Sequence, residues 1–343
     1  MTIILTIETT CDETAAALVT DDLRVLGSVI ASQDKLHEKY GGVVPEVASR
    51  VHLEQILPVI DSVLVESGVV LGAIDAIAVA NMPGLAGSLL VGLSAAKSLA
   101  VATGKPLIAI NHLQAHIYAC KISSGEDPFP CLGLIISGGH TSIYYCADPI
   151  DFIFLGGTID DAVGEAFDKV AAMLNLPYPG GPAIQKAATN GNPQAYNFPR
   201  SLLNEPDRVG FSFSGLKTAV RYRLVGAGKK TNPAEVSARL SATEVADIAA
   251  SFQEAAVDCL VGKTLQVMAR NNVNTLCVGG GAAANIRFRT KIQEAAQKNN
   301  YRLFIAPTNL CTDNAIMGAI AIERYKKGLF EQLDLDIFPG LIR

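Results

Sequence analysis

The chain has 343 residues and lacks several of the features that mark common function classes. It contains no CxxC pair, and its seven cysteines (Cys11, Cys120, Cys131, Cys146, Cys259, Cys277 and Cys311) are an odd number. Four of them, Cys131, Cys146, Cys259 and Cys277, sit inside apolar runs, where a free thiol packs as a small hydrophobe. A disulfide framework is therefore not expected, and a reducing compartment is. No apolar run reaches the roughly 18–20 uncharged residues of a membrane span. The nearest, residues 85–101, is interrupted by Gly87, Gly92, Ser94 and Lys97. The N-terminus carries no basic segment, signal-like apolar stretch or Arg-rich transit pattern, so the expectation is a cytoplasmic protein without a membrane partner.

Positive charge is also in deficit, with 28 Lys and Arg against 33 Asp and Glu. The deficit is uneven. Lys186, Arg200, Arg208, Lys217, Arg221, Arg223, Lys229, Lys230 and Arg239 face only Glu205, Asp207 and Glu235 in residues 186–239, giving that segment +6 and the remainder −11. A local basic face binds phosphates even on an acidic protein, although a solvated helical insertion has the same composition.

What is present is a plan that occurs twice. Ile3-Ile4-Leu5-Thr6-Ile7, the polar turn Glu8 to Thr14 and Ala15-Ala16-Ala17-Leu18-Val19 read as strand, turn and returning strand. Cys131 to Ile136, Ser137-Gly138-Gly139-His140-Thr141 and Ser142 to Cys146 repeat that pattern. Downstream of each hairpin stands a strand, a glycine-rich turn and a helix start. One runs from Ala76 through Pro83-Gly84 into a helix over Ser88–Ala100, the other from Thr275 through Gly279-Gly280-Gly281 into a helix near Asn285. Such turns offer backbone N–H groups and a positive dipole end to an anion. The doubled plan predicts a duplicated α/β fold of two lobes with a central cleft. Residues 1–112 with 314–343 form the first lobe and residues 113–313 the second, with a basic helical insertion at about 186–239. Helical periods are expected at His52–Glu66, Ala162–Asn175, Glu244–Asn271 and Ile316–Lys326, and irregular structure at Asn190–Pro206.

Only five histidines are present, and two stand four residues apart in Asn111-His112-Leu113-Gln114-Ala115-His116. On a helix, positions i and i+4 share a face, so both imidazoles point at one locus, the geometry of two-His metal sites. Two histidines that merely cap or hydrogen-bond have the same spacing. A zinc-peptidase motif needs Glu directly after the first His, and Leu113 stands there. Asp313, where a loop meets a helix start, is the best third ligand, with an N-cap as the competing role. Two His and one Asp suit zinc or ferrous iron equally. Asp12 and Glu13 project from the first polar turn, where a carboxylate orients a nucleophile or binds a second cation. Ser137-Gly138-Gly139 reads as a phosphate cradle. Asp168 and Gly181, the latter in the rigid turn Tyr178-Pro179-Gly180-Gly181-Pro182, are candidates for holding a ribose.

Taken in order, Glu8 to Thr14, Asn111-His112 with His116, Ser137 to Thr141, Tyr178 to Pro182, Phe211-Ser212-Phe213-Ser214-Gly215-Leu216-Lys217 and Cys311-Thr312-Asp313-Asn314 resemble the tRNA threonylcarbamoyladenosine transferase family, once labelled O-sialoglycoprotein endopeptidases, in its bacterial branch. The resemblance runs from about Ile3 to Met317. It implies an actin/Hsp70/sugar-kinase-like fold and an acyltransferase acting in tRNA modification. Threonylcarbamoyl-AMP would be the donor, and N6 of the adenosine 3′ of the anticodon, in tRNAs reading codons that begin with A, the acceptor. It further implies metal ligands His112, His116 and Asp313 for Fe2+ or Zn2+. Donor contacts would fall to Ile135, Ile136, Ser137, Gly138, Gly139, Asp168, Gly181 and Asn285, and the required acidic pair would be Asp12 and Glu13. Its implied partners are tRNA, a paralogous actin-like protein and a small P-loop ATPase, with ATP and Mg2+ involved. Gln185 departs from the family, many of whose members carry an acid there, and a modest effect on donor affinity is expected. The rival functions are a metallopeptidase, opposed by Leu113, and a small-molecule kinase of the same fold, which needs Mg-ATP rather than a histidine metal site.

Overall fold

The computed structural model describes residues 1–340 and divides into two compact units. The first comprises Met1–Phe129, Cys146–Phe152 and the chain from Asn309 onward; the second comprises Pro130–Tyr145 and Ile153–Thr308. The sequence divides the chain at 112/113, whereas the packing keeps the helix that begins at His112 with the first unit.

In the first unit, β1 (Ile3–Glu8), β2 (Glu13–Thr20), β3 (Val25–Ser32), β4 (Ala76–Met82) and β5 (Leu107–Asn111) form a sheet in the order β3-β2-β1-β4-β5. β1 pairs antiparallel with β2 and parallel with β4, so the turn Thr9–Asp12 emerges at the carboxyl end of a central strand. After the short α1 (Asp34–His37) come α2 (Pro45–Ser67), α3 (Ala86–Thr103) and α4 (His112–Ser124). Both strands of the hairpin are almost wholly buried because their runs of Ile, Leu, Val and Ala find cover on both sheet faces. On one of those faces, Leu5, Ile7, Ile77 and Val79 share a core with Ile56, Ile60 and Val63 of α2 and Leu93 and Ala96 of α3.

Helix α3 corrects one expectation. By length and composition it is apolar enough to cross a membrane, despite its glycines and Lys97. Its packing against α2 and β4 and the complete burial of Leu89 and Ala96 give it instead the character of a core helix lying on a sheet.

The second unit repeats the layout with β6 (Cys131–Ile136), β7 (Thr141–Cys146), β8 (Phe152–Gly157), β9 (Thr275–Gly279) and β10 (Arg302–Ile305), in the order β10-β9-β6-β7-β8. β6 is parallel to β9, as β1 is to β4. Its helices are α5 (Val163–Met173), α6 (Gly180–Ala188), α7 (Ser214–Val225), the short α8 (Pro233–Ser237), α9 (Ala242–Asn271) and α10 (Ile286–Lys298). A full capping box at Ser241 and Glu244 starts the 30-residue α9. The four predicted helical periods are all helical, with bounds shifted by a few residues. The last follows the short α11 (Thr308–Cys311) and consists of a 3-10 turn, Ile316–Ile320, leading into α12 (Ala321–Lys326).

Beyond α12 the chain returns along the first sheet. Glu331 N–H donates to Leu107 C=O, Phe338 N–H to Asn81 C=O, Gly84 N–H to Pro339 C=O, and Asn81 Nδ2 to Asp336 C=O. The strap thereby fastens the turn between β4 and α3.

Candidate metal centre and glycine-rich turns

The buried strand β5 ends at Asn111, whose side-chain oxygen accepts N–H bonds from Leu113 and Gln114 at 2.9 and 3.3 Å. That cap starts α4 at His112, so both histidines lie in its first turns. Their rings meet edge to face with centroids 4.5 Å apart. Asp313 Oδ1 lies 3.4 Å from His112 Nε2 and 3.3 Å from His116 Nε2. The three donor atoms fall within 4.8 Å of one another. Asp313 does not serve as the N-cap, because Asn314 Oδ1 accepts the Met317 N–H at 3.1 Å. Leu113, at the position where a zinc peptidase has its glutamate, is buried in the core.

The donor set fits a cation. His116 is fully buried, and neither of its ring nitrogens has a hydrogen-bond partner among the described residues. Burial lowers the His116 pKa, and the neighbouring His112 lowers it further, which leaves a neutral imidazole able to ligate. Burial also acts to lower His112, but the Asp313 and Glu8 carboxylates outweigh it and hold that ring well above the ordinary imidazole range. Burial acts to raise Asp313, yet the two histidines bring it far below the usual carboxylate value. Two imidazoles and a carboxylate, one flank of which is 19% exposed, suit Zn2+ or Fe2+ with coordination positions to spare.

The acidic pair lies in the same unit. Asp12, Glu13 and Asp34 bring three carboxylates within 4.8 Å, a grouping whose third member no local sequence pattern marks. Burial raises Asp12, and burial followed by the Asp313 and Asp12 charges pushes Glu13 up to about 10. Burial and then Asp12 keep the Cys11 thiol protonated. The turn is seated by Gly84, where a Cβ would stand 2.6 Å from Thr10 O, and by the Leu85 N–H donated to that same oxygen at 2.8 Å.

In the second unit, the turn after β6 packs on the start of α5. Gly164 N–H donates to Ser137 C=O at 3.2 Å, and Val163 N–H to Thr141 Oγ1 at 2.9 Å. Gly138, Gly139 and Gly181 have open space where a side chain would project. Gly180 does not: its Cβ would meet Asp168 Cα at 2.5 Å, and its N–H is donated to Asp168 Oδ1 at 2.7 Å. The segment Tyr178 to Pro182 is thus the start of α6 rather than a free turn, and Asp168 anchors it. Gly280, at φ +95°, lies so close to Ile136 that a Cβ would stand 2.5 Å from Ile136 O, which ties Ile135 and Ile136 to the β9 turn. Asn285 is engaged twice, accepting from Phe288 N–H at 3.0 Å as N-cap of α10 and donating to Gln253 Oε1 at 2.8 Å. Gln185 Oε1 accepts the Ile286 N–H at 2.7 Å, so this amide also caps α10.

The Phe211 to Lys217 motif has a structural explanation invisible in local sequence. Asp160 accepts from the Phe213 and Ser214 amides and from the Ser212 and Ser214 hydroxyls, fastening the start of α7 to the loop before α5. Asp161 pairs with Lys217 and Lys169, which draws its carboxyl below the ordinary range against the opposing effect of burial.

A family profile described as tRNA N6-adenosine threonylcarbamoyltransferase matches residues 24–320. A protein so described from Rhodopirellula baltica is 54% identical, with 99% of this chain and 97% of that one covered. Another from Syntrophobacter fumaroxidans is 48% identical, covering 97% and 98%. Among solved structures, component A of (R)-2-hydroxyglutaryl-CoA dehydratase from Acidaminococcus fermentans superposes with a TM-score of 0.54 at 12% identity, covering 95% of this chain and 99% of that one. HypF from T. kodakarensis gives 0.61 at 13%, covering 96% and 49%. These two likenesses concern fold alone, and they agree with the duplicated α/β plan read from the sequence and with the actin/Hsp70/sugar-kinase-like architecture that the family resemblance implies.

Proposed function

The chain belongs to the tRNA N6-adenosine threonylcarbamoyltransferase family, and on that premise we propose how its own side chains divide the work of the transfer. It is a transferase that places a threonylcarbamoyl group on N6 of an adenosine in tRNA. The donor in our reading is threonylcarbamoyl-AMP, and the acceptor is the adenosine 3′ of the anticodon in tRNAs reading codons that begin with A.

His112, His116 and Asp313 hold one divalent cation, Zn2+ or Fe2+, which supplies a Lewis acid and a template for the threonyl portion of the donor. The observation that carries this reading is the convergence of those three donors, with the buried His116 nitrogens making no hydrogen bond of good geometry among the described residues. The adenylate lies on Ser137, Gly138 and Gly139 beside the N-terminus of α5, where the amides of the glycine turn and the helix dipole favour the phosphate and the charge it gains on leaving. The open faces of Gly138, Gly139 and Gly181 support a close approach of the ligand to the backbone. Ile135 and Ile136 flank that turn, while Asp168 and Asn285 set the helix starts around it.

In the chemical step, adenosine N6 attacks the carbamoyl carbon, the bond to the AMP oxygen breaks with its electron pair leaving on the phosphate, and N6 loses a proton. Asp12 accepts that proton. The raised pKa of Glu13 supports this division, because a protonated neighbour spares the pair a second negative charge. An adenine amine is a weak nucleophile, so positioning carries much of the acceleration.

The exposed Arg223, Lys229 and Lys230 suit contact with the tRNA backbone. A paralogous actin-like protein and a small P-loop ATPase act with this chain in the cytoplasm, and ATP with Mg2+ serves that assembly. The test is transfer of labelled threonylcarbamoyl from synthetic adenylate to unmodified tRNA, with the partner proteins present. Wild-type chain is expected to transfer the label and His112→Ala and Asp313→Ala to lose it. Normal transfer by both variants overturns the reading.

A further inference from the structure

The two histidines of the candidate metal centre are held differently, and the difference singles out Glu8, which is not among the proposed ligands. His112 Nδ1 lies 3.1 Å from Glu8 Oε2 and 3.1 Å from Thr10 Oγ1. Glu8, the last residue of β1, is buried, and its other oxygen accepts the Thr10 N–H at 2.7 Å. His116 has no such partner at Nδ1 among the described residues. A carboxylate only accepts, so the ring nitrogen facing Glu8 is the one that carries the proton. In the neutral ring that a cation requires, the lone pair of His112 is thereby assigned to Nε2, the atom directed at Asp313.

We infer that Glu8 is a positioning residue for the metal centre: it fixes the tautomer and orientation of His112, and through Thr10 it joins that ligand to the turn bearing Asp12 and Glu13. The inference rests on reading His112, His116 and Asp313 as metal ligands. A carboxylate behind a metal-bound imidazole also raises the basicity of the ligating nitrogen, so Glu8 strengthens binding through His112 while His116 relies on its burial alone. The arrangement is compact because β1 and β5 flank β4 in one sheet. Glu8 and His112 stand at the carboxyl ends of those two strands, 104 positions apart in the chain.

The test measures metal binding rather than transfer. Zn2+ affinity of the full chain is read by chelator competition, and the visible spectrum of the Co2+-loaded protein reports the ligand field. Glu8→Ala is expected to weaken Zn2+ binding about 10–100-fold and to alter the Co2+ spectrum, as loss of an outer-shell partner does. Glu8→Gln keeps an acceptor for Nδ1–H without the charge, and is expected to fall between Glu8→Ala and wild type. A role confined to folding predicts a lower melting temperature of the metal-free protein with unchanged Zn2+ affinity in the folded fraction, and that result overturns the inference. Should Glu8→Ala fail to fold, Glu8→Gln decides, and wild-type affinity in it is equally fatal. Failure of the metal reading itself looks different: His112→Ala then binds Zn2+ as tightly as wild type.

Discussion

His116 Nε2 stands 3.3 Å from Asp313 Oδ1, although the whole second unit lies between them in the chain. A buried carboxylate faced by two imidazole nitrogens at such distances is an arrangement that a shared cation would stabilise. Chelation of the purified protein is therefore expected to abolish transfer, and Zn2+ or Fe2+ to restore it. Asp313→Asn is expected to weaken metal binding by more than the roughly 10–100-fold typical of outer-shell changes. Metal content and transfer rate, measured on the same preparation, check both statements.

Glu13 gives a pH dependence with a defined sign. Its pKa is raised in the folded chain to about 10 from an ordinary 4.5, so its contribution to stability is complete below about 4.5 and is lost as pH rises towards 10. Glu13→Gln has no proton to lose. Its melting temperature relative to wild type should rise steadily across this window, and parallel curves for the two proteins would show that Glu13 ionises freely.

Gly180 and Gly181 are adjacent but predict opposite outcomes. Gly180→Ala forces a Cβ to within 2.5 Å of Asp168 Cα, an overpacking expected to cost about 1–3 kcal/mol in urea unfolding. Gly181→Ala meets open space and gains helix propensity, so its stability should equal wild type or exceed it by up to about 1 kcal/mol. Its expected defect is a raised KM for the donor with the fold intact.

The basic segment is tested by salt. Replacing Lys229 and Lys230 together with alanine should weaken tRNA binding uniformly across sequences and reduce the slope of log affinity against log salt by about 1–2. Donor affinity should not change. A tRNA titration at several salt concentrations checks both, and an unaltered slope assigns those lysines to solvent.

Much of this layout is legible in sequence because apolar runs bracket polar turns twice over. The strands β1, β2, β6 and β7 are buried on both faces, so their residues are almost continuously apolar and easily recognised. β3 carries no such signal. It lies at the sheet edge with a half-exposed pattern, and Gly27 and two serines dilute its apolar run. Helix α7 is equally hard to read, since the residue that starts it, Asp160, lies more than fifty positions upstream. The same limit applies around the metal centre. The His112–His116 spacing is local and readable, but the bond from Glu8 depends on strand order, which no local pattern records. For Asp313, the sequence leaves ligand and N-cap in balance; the cap falls to Asn314, a neighbour that the local pattern does not single out.

The return of the chain from Asn309 onward has a consequence for biosynthesis. A ribosome making this protein releases His112 and His116 long before Asp313, and the strap that fastens Gly84 through Pro339 comes later still. Until the second unit has been made, the emerging polypeptide holds two ligands without the third. On the proposed metal reading, the three-donor set is therefore complete only once Asp313 has been made.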